Sequence, residues 1–316
     1  ELAYKMIQEI KESGGHAAKF QAYKATKLAS KHSPSYWNTD EEPTLSQHEL
    51  FKKYDSFGPA EYHKIQEMCL EVGIDFICTP FDEEAVDFLA PMMPCFKVAS
   101  ADITNFPLLK KVAGYKKPVF LSTGASTVDE IVFSYNYLKL HGASQVVPMQ
   151  CVLCYPTEYS EANLLAIQHL GNIFPYDIIG YSDHTRPCKG MWTLIYSYIH
   201  GARIIEKHYT FDKNLQGNDH YHSMDKNDLA IFNQGLNMYL NTLGNPQKVV
   251  LEQENLPRKN ARRSLVASQD LREGTTLERQ HFEIKRPCFG LEPKNLDWLL
   301  GRKLKKVFSK EKGLLS

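Results

Sequence analysis

The sequence lacks the excess of one charge sign that is typical of proteins that bind nucleic acid or acidic membranes. Its 316 residues contain 37 Lys and Arg against 37 Asp and Glu, so the formal net charge is zero. It also lacks any apolar run of membrane-spanning length, and its first residues carry no signal-peptide pattern. These absences argue against nucleic-acid and membrane partners and predict a cytoplasmic protein.

A disulfide framework is also lacking. The seven cysteines are an odd number and are scattered, with Cys69, Cys78 and Cys95 inside apolar runs. Cys151 and Cys154 form a C-x-x-C pair, but no second pair accompanies them, so a zinc site is not expected there. The pattern is typical of reduced core thiols in a cytosolic protein.

Short apolar strands alternate with segments of helical period, which predicts an α/β fold with a parallel sheet. Because Glu1 already lies in a helical segment, we expect the first strand of an eight-stranded TIM (β/α)8 barrel to lie upstream of it. A doubly wound open sheet is the alternative, but no predicted strand is followed by a G-x-G-x-x-G phosphate loop. The predicted strands are residues 16–20, 75–78, 96–99, 118–121, 145–149, 178–180 and 203–205.

The pattern changes in the last quarter of the chain. Residues 1–243 carry the barrel alternation, and residues 244–260, which include two prolines, are typical of a linker. Residues 261–316 are basic, with short β-type runs separated by glycine turns. The sequence therefore predicts a large barrel domain, a linker and a separate small β-rich domain.

Polar side chains stand where two neighbouring predicted strands end, within residues 177–219. One apolar run ends shortly before His184 and, after a helical segment, a second ends at Glu206 and His208. A crossover of this length makes the two strands parallel, so we expect the two histidines to be neighbours at one edge of the sheet. Two imidazoles and a carboxylate predict either a divalent-metal site or histidines that are simply hydrogen-bonded at strand ends.

Two lysines stand inside otherwise apolar strands. Lys19 and Lys97 would be costly to bury without an anionic partner, and with nearby hydroxyl residues they predict a binding site for phosphate or carboxylate. The polar segment 25–59 is too long for an ordinary βα connection, and we expect a surface excursion beside this site. The polar residues at strand ends are Lys19, Gln21, Thr79, Lys97, Ser100, Ser122, Thr123, Tyr155, Ser182, His184, Glu206 and His208, with Asp219 in a following loop.

These motifs follow one another in the order found in sialic acid synthases, and the chain resembles that family over nearly its whole length. The matching segments are KFQ (19–21), TPF (79–81), FKVAS (96–100), LSTG (121–124), YPTEY (155–159), GYSDHT (180–185), EKHYT (206–210), GND (217–219) and IKRP (284–287). The resemblance implies a TIM barrel followed by an antifreeze-like (SAF) domain. It also implies an enzyme that condenses phosphoenolpyruvate with an N-acetylated amino sugar, N-acetylmannosamine or a related diacetamido sugar, to a nine-carbon 2-keto acid and phosphate.

The resemblance assigns roles by position. His184 and His208 match the family's metal ligands, which usually hold Mn²⁺, with Mg²⁺ or Co²⁺ as alternatives. Arg286 resembles an arginine that the small domain inserts into the partner's barrel, which implies a domain-swapped homodimer. The positions matched to phosphoenolpyruvate binding are Thr79, Lys97, Ser100, Ser122 and Ser182. Those matched to catalysis are Lys19, Gln21, Tyr155, Glu206 and Asp219. Those matched to sugar binding are Gln21, Asp102, Tyr155, Asp219 and Arg286.

The chain departs from the family pattern at named positions. Leu153 replaces an asparagine, so we expect one phosphate contact to be lost, and Asp102 replaces a glutamate, which is expected to change how the sugar is held. The family's first strand, which ends in a glutamate, is expected upstream of Glu1. Two other functions stay open: a Schiff-base aldolase with Lys97 as the nucleophile, and a non-catalytic carbohydrate-binding protein.

Overall fold

The computed structural model of the protein describes residues 1–37, 39–40, 42–217 and 219–312. The chain divides into two compact units, Glu1–Thr242 and Leu243–Ser316. Within the described residues, no helix is both long and apolar enough to cross a membrane.

In the first unit, seven parallel strands alternate with helices among the residues described, which confirms the predicted α/β barrel-type fold. The strands are β1 (Ala17–Ala22), β2 (Asp75–Pro80), β3 (Phe96–Val98), β4 (Val119–Ser122), β5 (Val146–Cys151), β6 (Ile179–Asp183) and β7 (Ala202–Lys207). The helices are α1 (Leu2–Glu12), α2 (Ala25–Leu28), α3 (Gln47–Tyr54), α4 (Pro59–Val72), α5 (Glu83–Leu89), α6 (Phe106–Gly114), α7 (Val128–Leu140), α8 (Leu165–Ile173), α9 (Trp192–Ile199) and α10 (Lys226–Thr242).

The strands follow one another in chain order. β1 pairs with β2, β3 to β7 form one sheet, and β2 lies beside β3. Helical crossovers separate the parallel strands, so their carboxyl ends meet at one edge, called here the carboxyl rim. β6 and β7 extend to Asp183 and Lys207, beyond the predicted ends at residues 180 and 205, because the ladder continues until these two residues pair with each other.

Local capping signals set the helix bounds. α4 starts with Pro59 directly after Gly58, whose N–H donates to the Glu61 carboxylate at 2.9 Å, and it ends at Gly73 with a φ of 75°. In α7, Thr127 and Glu130 form a reciprocal capping box. The helices pack against the strands through one apolar core.

The segment at residues 25–59 is a folded excursion that contains α2 and α3. Its two ends are held together, because Lys24 Nζ donates to the carbonyl oxygens of Asp55 at 2.6 Å and Phe57 at 2.8 Å. The Ala25 N–H also donates to the Asp55 carboxylate at 3.0 Å. The excursion therefore returns to the chain next to the point at which it leaves β1.

The second unit contains the antiparallel strands β8 (Ser264–Ala267) and β9 (Phe282–Lys285) and the helices α11 (Asn255–Ala261) and α12 (Leu296–Leu299). Helix α11 lies at the end of the stretch predicted as a linker, and its Lys259 carbonyl accepts the Cys288 N–H at 3.0 Å. The unit has an apolar core of its own, formed by Leu265, Ala267, Leu271, Leu277, Phe282, Leu299, Leu304 and Phe308.

Candidate active site

On the carboxyl rim, one carboxylate lies between two lysines. Glu206, in β7, places Oε1 3.0 Å from Lys19 Nζ and Oε2 3.5 Å from Lys97 Nζ. The lysines belong to β1 and β3, and Lys97 is only 4% exposed. Glu206 is therefore the anionic partner that two lysines inside apolar strands require. We call these three residues the lysine–glutamate cluster.

Burial and charge act in opposite directions within this cluster. Burial lowers the pKa of Lys97, although the nearby Glu206 charge opposes the shift. Burial also acts to raise the pKa of Glu206, but the positive charges of Lys19 and Lys97 hold it well below its usual range. Counted formally, two ammonium groups face one carboxylate. The excess positive charge makes this part of the rim favourable for an anion.

Buried hydroxyls lie on the same rim. Thr79, Ser100, Ser122 and Ser182 are all buried, at the ends of β2, β3, β4 and β6. The Ser100 hydroxyl accepts the Gly124 N–H at 2.9 Å, and a Cβ at Gly124 would come within 2.8 Å of that oxygen. Any side chain at position 124 would therefore displace Ser100.

The Ser122 hydroxyl has no hydrogen-bond partner within the described part of the chain, although Ser122 is buried. Leaving a buried hydroxyl without a partner costs about 1–3 kcal/mol, which a bound anion that accepts its proton would offset. The hydroxyl, like the lysine–glutamate cluster, thus fits an anionic ligand.

A group of aromatic rings occupies another part of the rim. The ring centroids of His184 and His208 are 5.2 Å apart, and those of His208 and His222 are 5.1 Å apart. Tyr155 packs on His184 with its ring centroid 4.2 Å away. Asp219 lies between two of the imidazoles, with Oδ2 3.7 Å from His208 Nδ1 and Oδ1 3.7 Å from His222 Nε2. His184, His208 and His222 are called here the histidine cluster.

The histidine cluster fits a divalent metal ion. His184 Nδ1 donates to the Val152 carbonyl at 2.7 Å, which leaves Nε2 free to bind a metal. Burial lowers the pKa of His184 and of His222 to about 3, so both imidazoles are neutral at pH 7, the form that ligates metals. Ligand atoms of His208, Asp219 and His222 lie within 4.8 Å of one another.

Sequence reasoning missed His222. It lies at the end of a 3₁₀ turn, His220–His222, in the irregular loop after β7, where no periodicity indicates which way a side chain points. Its ring joins the cluster only because this loop folds back over the rim, with Met224 N donating to the His208 carbonyl at 2.9 Å. The GND motif (217–219) identified Asp219 as a site residue but did not extend to His222.

The other predicted site residues have mixed surroundings. Gln21 is two residues after Lys19 in β1, so both side chains share one face of that strand. Asp102 lies in the turn after β3, where it accepts the Asn105 side-chain N–H at 3.0 Å and where burial raises its pKa. Arg286 follows β9 in the second unit. The roles assigned to these residues stay predictions.

A second ion pair lies next to the site in sequence and was also missed. Lys207 Nζ is 2.5 Å from Asp183 Oδ2, and both side chains are 1% exposed. Lys207 also donates to the Thr185 carbonyl at 2.6 Å, and the Thr185 hydroxyl donates to Asp183 at 3.0 Å. The pair joins the ends of β6 and β7 directly before His184 and His208. It thereby holds the two histidines in register.

The 25–59 excursion approaches the histidine cluster. Partial burial raises the pKa of Tyr36, a residue that remains 58% exposed, and the negative charge of Asp219 adds to the shift. Burial likewise raises the pKa of Tyr23, just before the excursion, to about 12, again with a contribution from Asp219. A Cβ at Gly217, two residues before Asp219, would lie 3.7 Å from the Tyr54 hydroxyl in α3, so this part of the excursion lies beside the loop that carries Asp219.

Known proteins match nearly the whole chain. Residues 6–248 match the NeuB family and residues 262–310 match the SAF domain. The chain is 37% identical to the uncharacterized protein MJ1065 of Methanocaldococcus jannaschii over 96% of its own length and 86% of that protein. It is 31% identical to the N,N'-diacetyllegionaminic acid synthase of Legionella pneumophila, again over 96% and 86%. The crystal structure of a sialic acid synthetase from Leptospira borgpetersenii matches with a TM-score of 0.69 and 31% identity, covering 81% of this chain and 84% of that one.

Proposed function

The chain belongs to the NeuB family, and from this premise we propose that it is a phosphoenolpyruvate-dependent nonulosonic acid synthase. It condenses phosphoenolpyruvate with an N-acetylated amino sugar, N-acetylmannosamine or a related diacetamido sugar, to a nine-carbon 2-keto sugar acid and releases phosphate. Relatives that match about 96% of this chain are named legionaminic, pseudaminic and N-acetylneuraminate-9-phosphate synthases. The protein is thus a transferase of carbohydrate biosynthesis.

The observation that carries this proposal is the lysine–glutamate cluster beside the buried hydroxyls. Phosphoenolpyruvate carries a phosphate and a carboxylate, and the formal excess of positive charge at Lys19 and Lys97 suits such a ligand. Ser100, Ser122 and Ser182 supply hydrogen bonds at the same rim. With both ends of the substrate held, its enol carbon can be presented to the aldehyde carbon of the sugar, which lowers the entropic part of the barrier.

The bond changes follow from the two substrates. The enol double bond supplies the electron pair for a bond to the aldehyde carbon, and positive charge develops at the carbon that carries the phosphate. The aldehyde C=O π bond opens, and its oxygen takes up a proton, which is balanced by the proton that the incoming water releases. Water adds at that carbon and phosphate leaves, so the carbon becomes the 2-keto group. Lys19 and Glu206 stand near enough to the ligand site to orient these groups. Tyr155, which packs against the histidines, closes one side of the site.

We further propose that the histidine cluster holds a divalent metal. Mn²⁺ is the preferred ion, and Mg²⁺ or Co²⁺ are alternatives. The predicted ligands His184 and His208 are neighbours on the rim, and His184 is kept neutral by burial. When bound, the ion supplies Lewis-acid polarisation of the aldehyde oxygen. Imidazole ligands add no negative charge, so they leave most of the ion's charge available for that purpose.

A phosphate-release assay with phosphoenolpyruvate, Mn²⁺ and a panel of N-acetylated amino sugars tests the function. We expect release that depends on one of the sugars and on the metal. A Schiff-base aldolase would instead be trapped at Lys97 by borohydride in the presence of pyruvate, and a chelator would leave it unaffected. Sugar binding without phosphate release under all conditions would favour the non-catalytic carbohydrate-binding protein.

Replacing Lys97 with methionine should raise the KM for phosphoenolpyruvate by about 10- to 100-fold, because a charged hydrogen bond contributes about 1.5–3 kcal/mol. Methionine retains the apolar stem in this buried position but removes the ammonium group. Initial rates with each substrate varied in turn measure the effect. The KM for the sugar should change little, and Lys64→Met, at an exposed position on α4, is the control. An unchanged KM for phosphoenolpyruvate would place the anion elsewhere.

We propose that the protein works as a domain-swapped homodimer in which Arg286 serves the partner's barrel. The basis is the match of IKRP (284–287) to the family's motif, together with the separation of the chain into two units. If this is so, Arg286→Ala and His208→Ala subunits should each be nearly inactive alone. After the two are mixed under conditions of subunit exchange, up to about a quarter of the wild-type activity should return.

The quarter follows from random exchange. Half of the dimers are then mixed, and one of the two sites in each has an intact His208 together with an intact Arg286 from the other chain. Exchange is measured separately by co-purification of differently tagged subunits. Two preparations that both carry His208→Ala serve as the control and should show no recovery. Confirmed exchange without recovered activity would mean that Arg286 acts within its own chain or not at all.

A further inference from the structure

His222 is a buried imidazole without a conventional partner. Its exposure is 0%, and neither ring nitrogen makes a hydrogen bond to any residue that the structure describes. Burying an unpaired polar atom is unfavourable, and His222 buries two such atoms. Its ring lies near those of Tyr155, at a centroid distance of 5.8 Å, and of Tyr221 and His208, each at 5.1 Å. Such an arrangement is less unfavourable when a ligand binds at least one of the ring nitrogens.

The position of Asp219 indicates what binds there. One carboxylate oxygen faces His208 Nδ1 and the other faces His222 Nε2, each at 3.7 Å. Both distances are too long for hydrogen bonds. They are, however, normal separations for two atoms that bind one ion, since each ligand atom lies about 2.0–2.2 Å from a first-row divalent metal. The three residues all place ligand atoms within 4.8 Å of one another.

We propose that His222 is a ligand of the divalent metal, so that His208, Asp219 and His222 form a face of two histidines and one carboxylate. Such a face leaves other coordination positions open for a substrate oxygen, as in other enzymes with this donor set. His184 lies beside His208 and is not one of the three residues of this face. Its Nε2 is free because Nδ1 donates to the Val152 carbonyl. The inference deepens the proposed function, on which it rests for the role of the metal.

A packing role for His222 is the alternative, because its ring lies between Tyr155 and Tyr221. The substitution His222→Phe separates the two roles. Phenylalanine keeps an aromatic ring of similar size between the tyrosines and removes both ring nitrogens. A packing role therefore predicts unchanged metal binding, and a ligand role predicts a loss.

The test is the affinity of the full chain for Mn²⁺ alone, measured without substrates from the electron paramagnetic resonance signal of the free ion. We expect His222→Phe to weaken binding by at least about tenfold, the loss that even an outer-shell partner of a metal site produces. The control is His169→Phe, at an exposed position on α8, which should bind within about twofold of the wild type. The visible spectrum of the Co²⁺ form should also change with His222→Phe, because one nitrogen donor is lost.

Wild-type Mn²⁺ affinity together with an unchanged Co²⁺ spectrum in folded His222→Phe would overturn the proposal. Circular dichroism checks folding, and if the Phe variant does not fold, His222→Leu is measured in the same way and judged by the same two outcomes. The proposed function is judged separately. Phosphate release by a wild type whose affinity is insensitive to His222 would refute only the ligand role. A loss of affinity in a protein that releases no phosphate would refute only the synthase activity.

Discussion

Replacing His208 with alanine is expected to lower kcat by at least about 10³-fold. His208 is the residue shared by both sets of metal-binding groups, since it neighbours His184 on one side and Asp219 with His222 on the other. Under the proposed assignment, the ion would lose one donor. Charge stabilisation by a bound metal lowers the activation barrier by several kcal/mol, and each 1.36 kcal/mol is a factor of ten in rate.

Phosphate release and Mn²⁺ titration of the same preparation measure this effect. Mn²⁺ affinity should fall together with kcat, and added Mn²⁺ should restore little activity. His169→Ala removes an exposed imidazole from α8 and should leave both quantities unchanged. Turnover by His208→Ala at the wild-type rate in chelator-treated buffer would exclude a metal site at this position.

Replacing Lys207 with methionine should destabilise the first unit by about 3–5 kcal/mol, the usual cost of removing one partner of a buried ion pair. Asp183 would remain a buried carboxylate, with its positive partner 2.5 Å away removed. Thr185 and Tyr181 continue to donate hydrogen bonds to Asp183, but neither supplies a charge. Since β6 and β7 meet at this pair, the loss should also reduce the affinity for Mn²⁺.

Urea unfolding followed by circular dichroism measures the change in the free energy of unfolding. Lys213→Met is a matched control: Lys213 also pairs with carboxylates, Asp225 and Asp228, at 2.7 and 2.6 Å, but its side chain is 35% exposed. Its loss should cost no more than about 1 kcal/mol, as for other solvent-accessible pairs. The double variant Asp183→Asn with Lys207→Met should recover part of the stability, because no buried charge is left alone. Equal costs at Lys207 and Lys213 would contradict the argument from burial.

Local patterns were sufficient for much of the fold and for part of the site. Apolar runs of strand length, alternating with helical periods, predicted the seven strands that the structure contains among the described residues of the first unit. The rule that parallel strands place their carboxyl ends together then predicted that His184 and His208 are neighbours. The cost of burying an ammonium group predicted an anionic partner for Lys19 and Lys97. Each of these inferences needs only chain order and chemistry.

Which charged side chains pair with one another could be learned only from the tertiary structure. Glu206 serves both lysines because β7 places its carboxylate within reach of β1 and β3, a relation among three strands that no segment of sequence contains. The Asp183–Lys207 pair depends on the register of two strands, since a shift by one residue would turn each side chain to the opposite face.

His222 is the clearest example of a contact that sequence patterns did not predict. The sequence placed Asp219 in the loop after the last strand of the barrel, but this loop has no periodicity from which the direction of the His222 side chain could be read. Only the folded loop buries the His222 ring and places it beside His208 and Asp219. Local sequence patterns were enough to predict the strands, their order and the chemistry available at their ends. Which of these groups meet could be learned only from the fold, because contacts between loops and non-adjacent strands depend on the path of the whole chain.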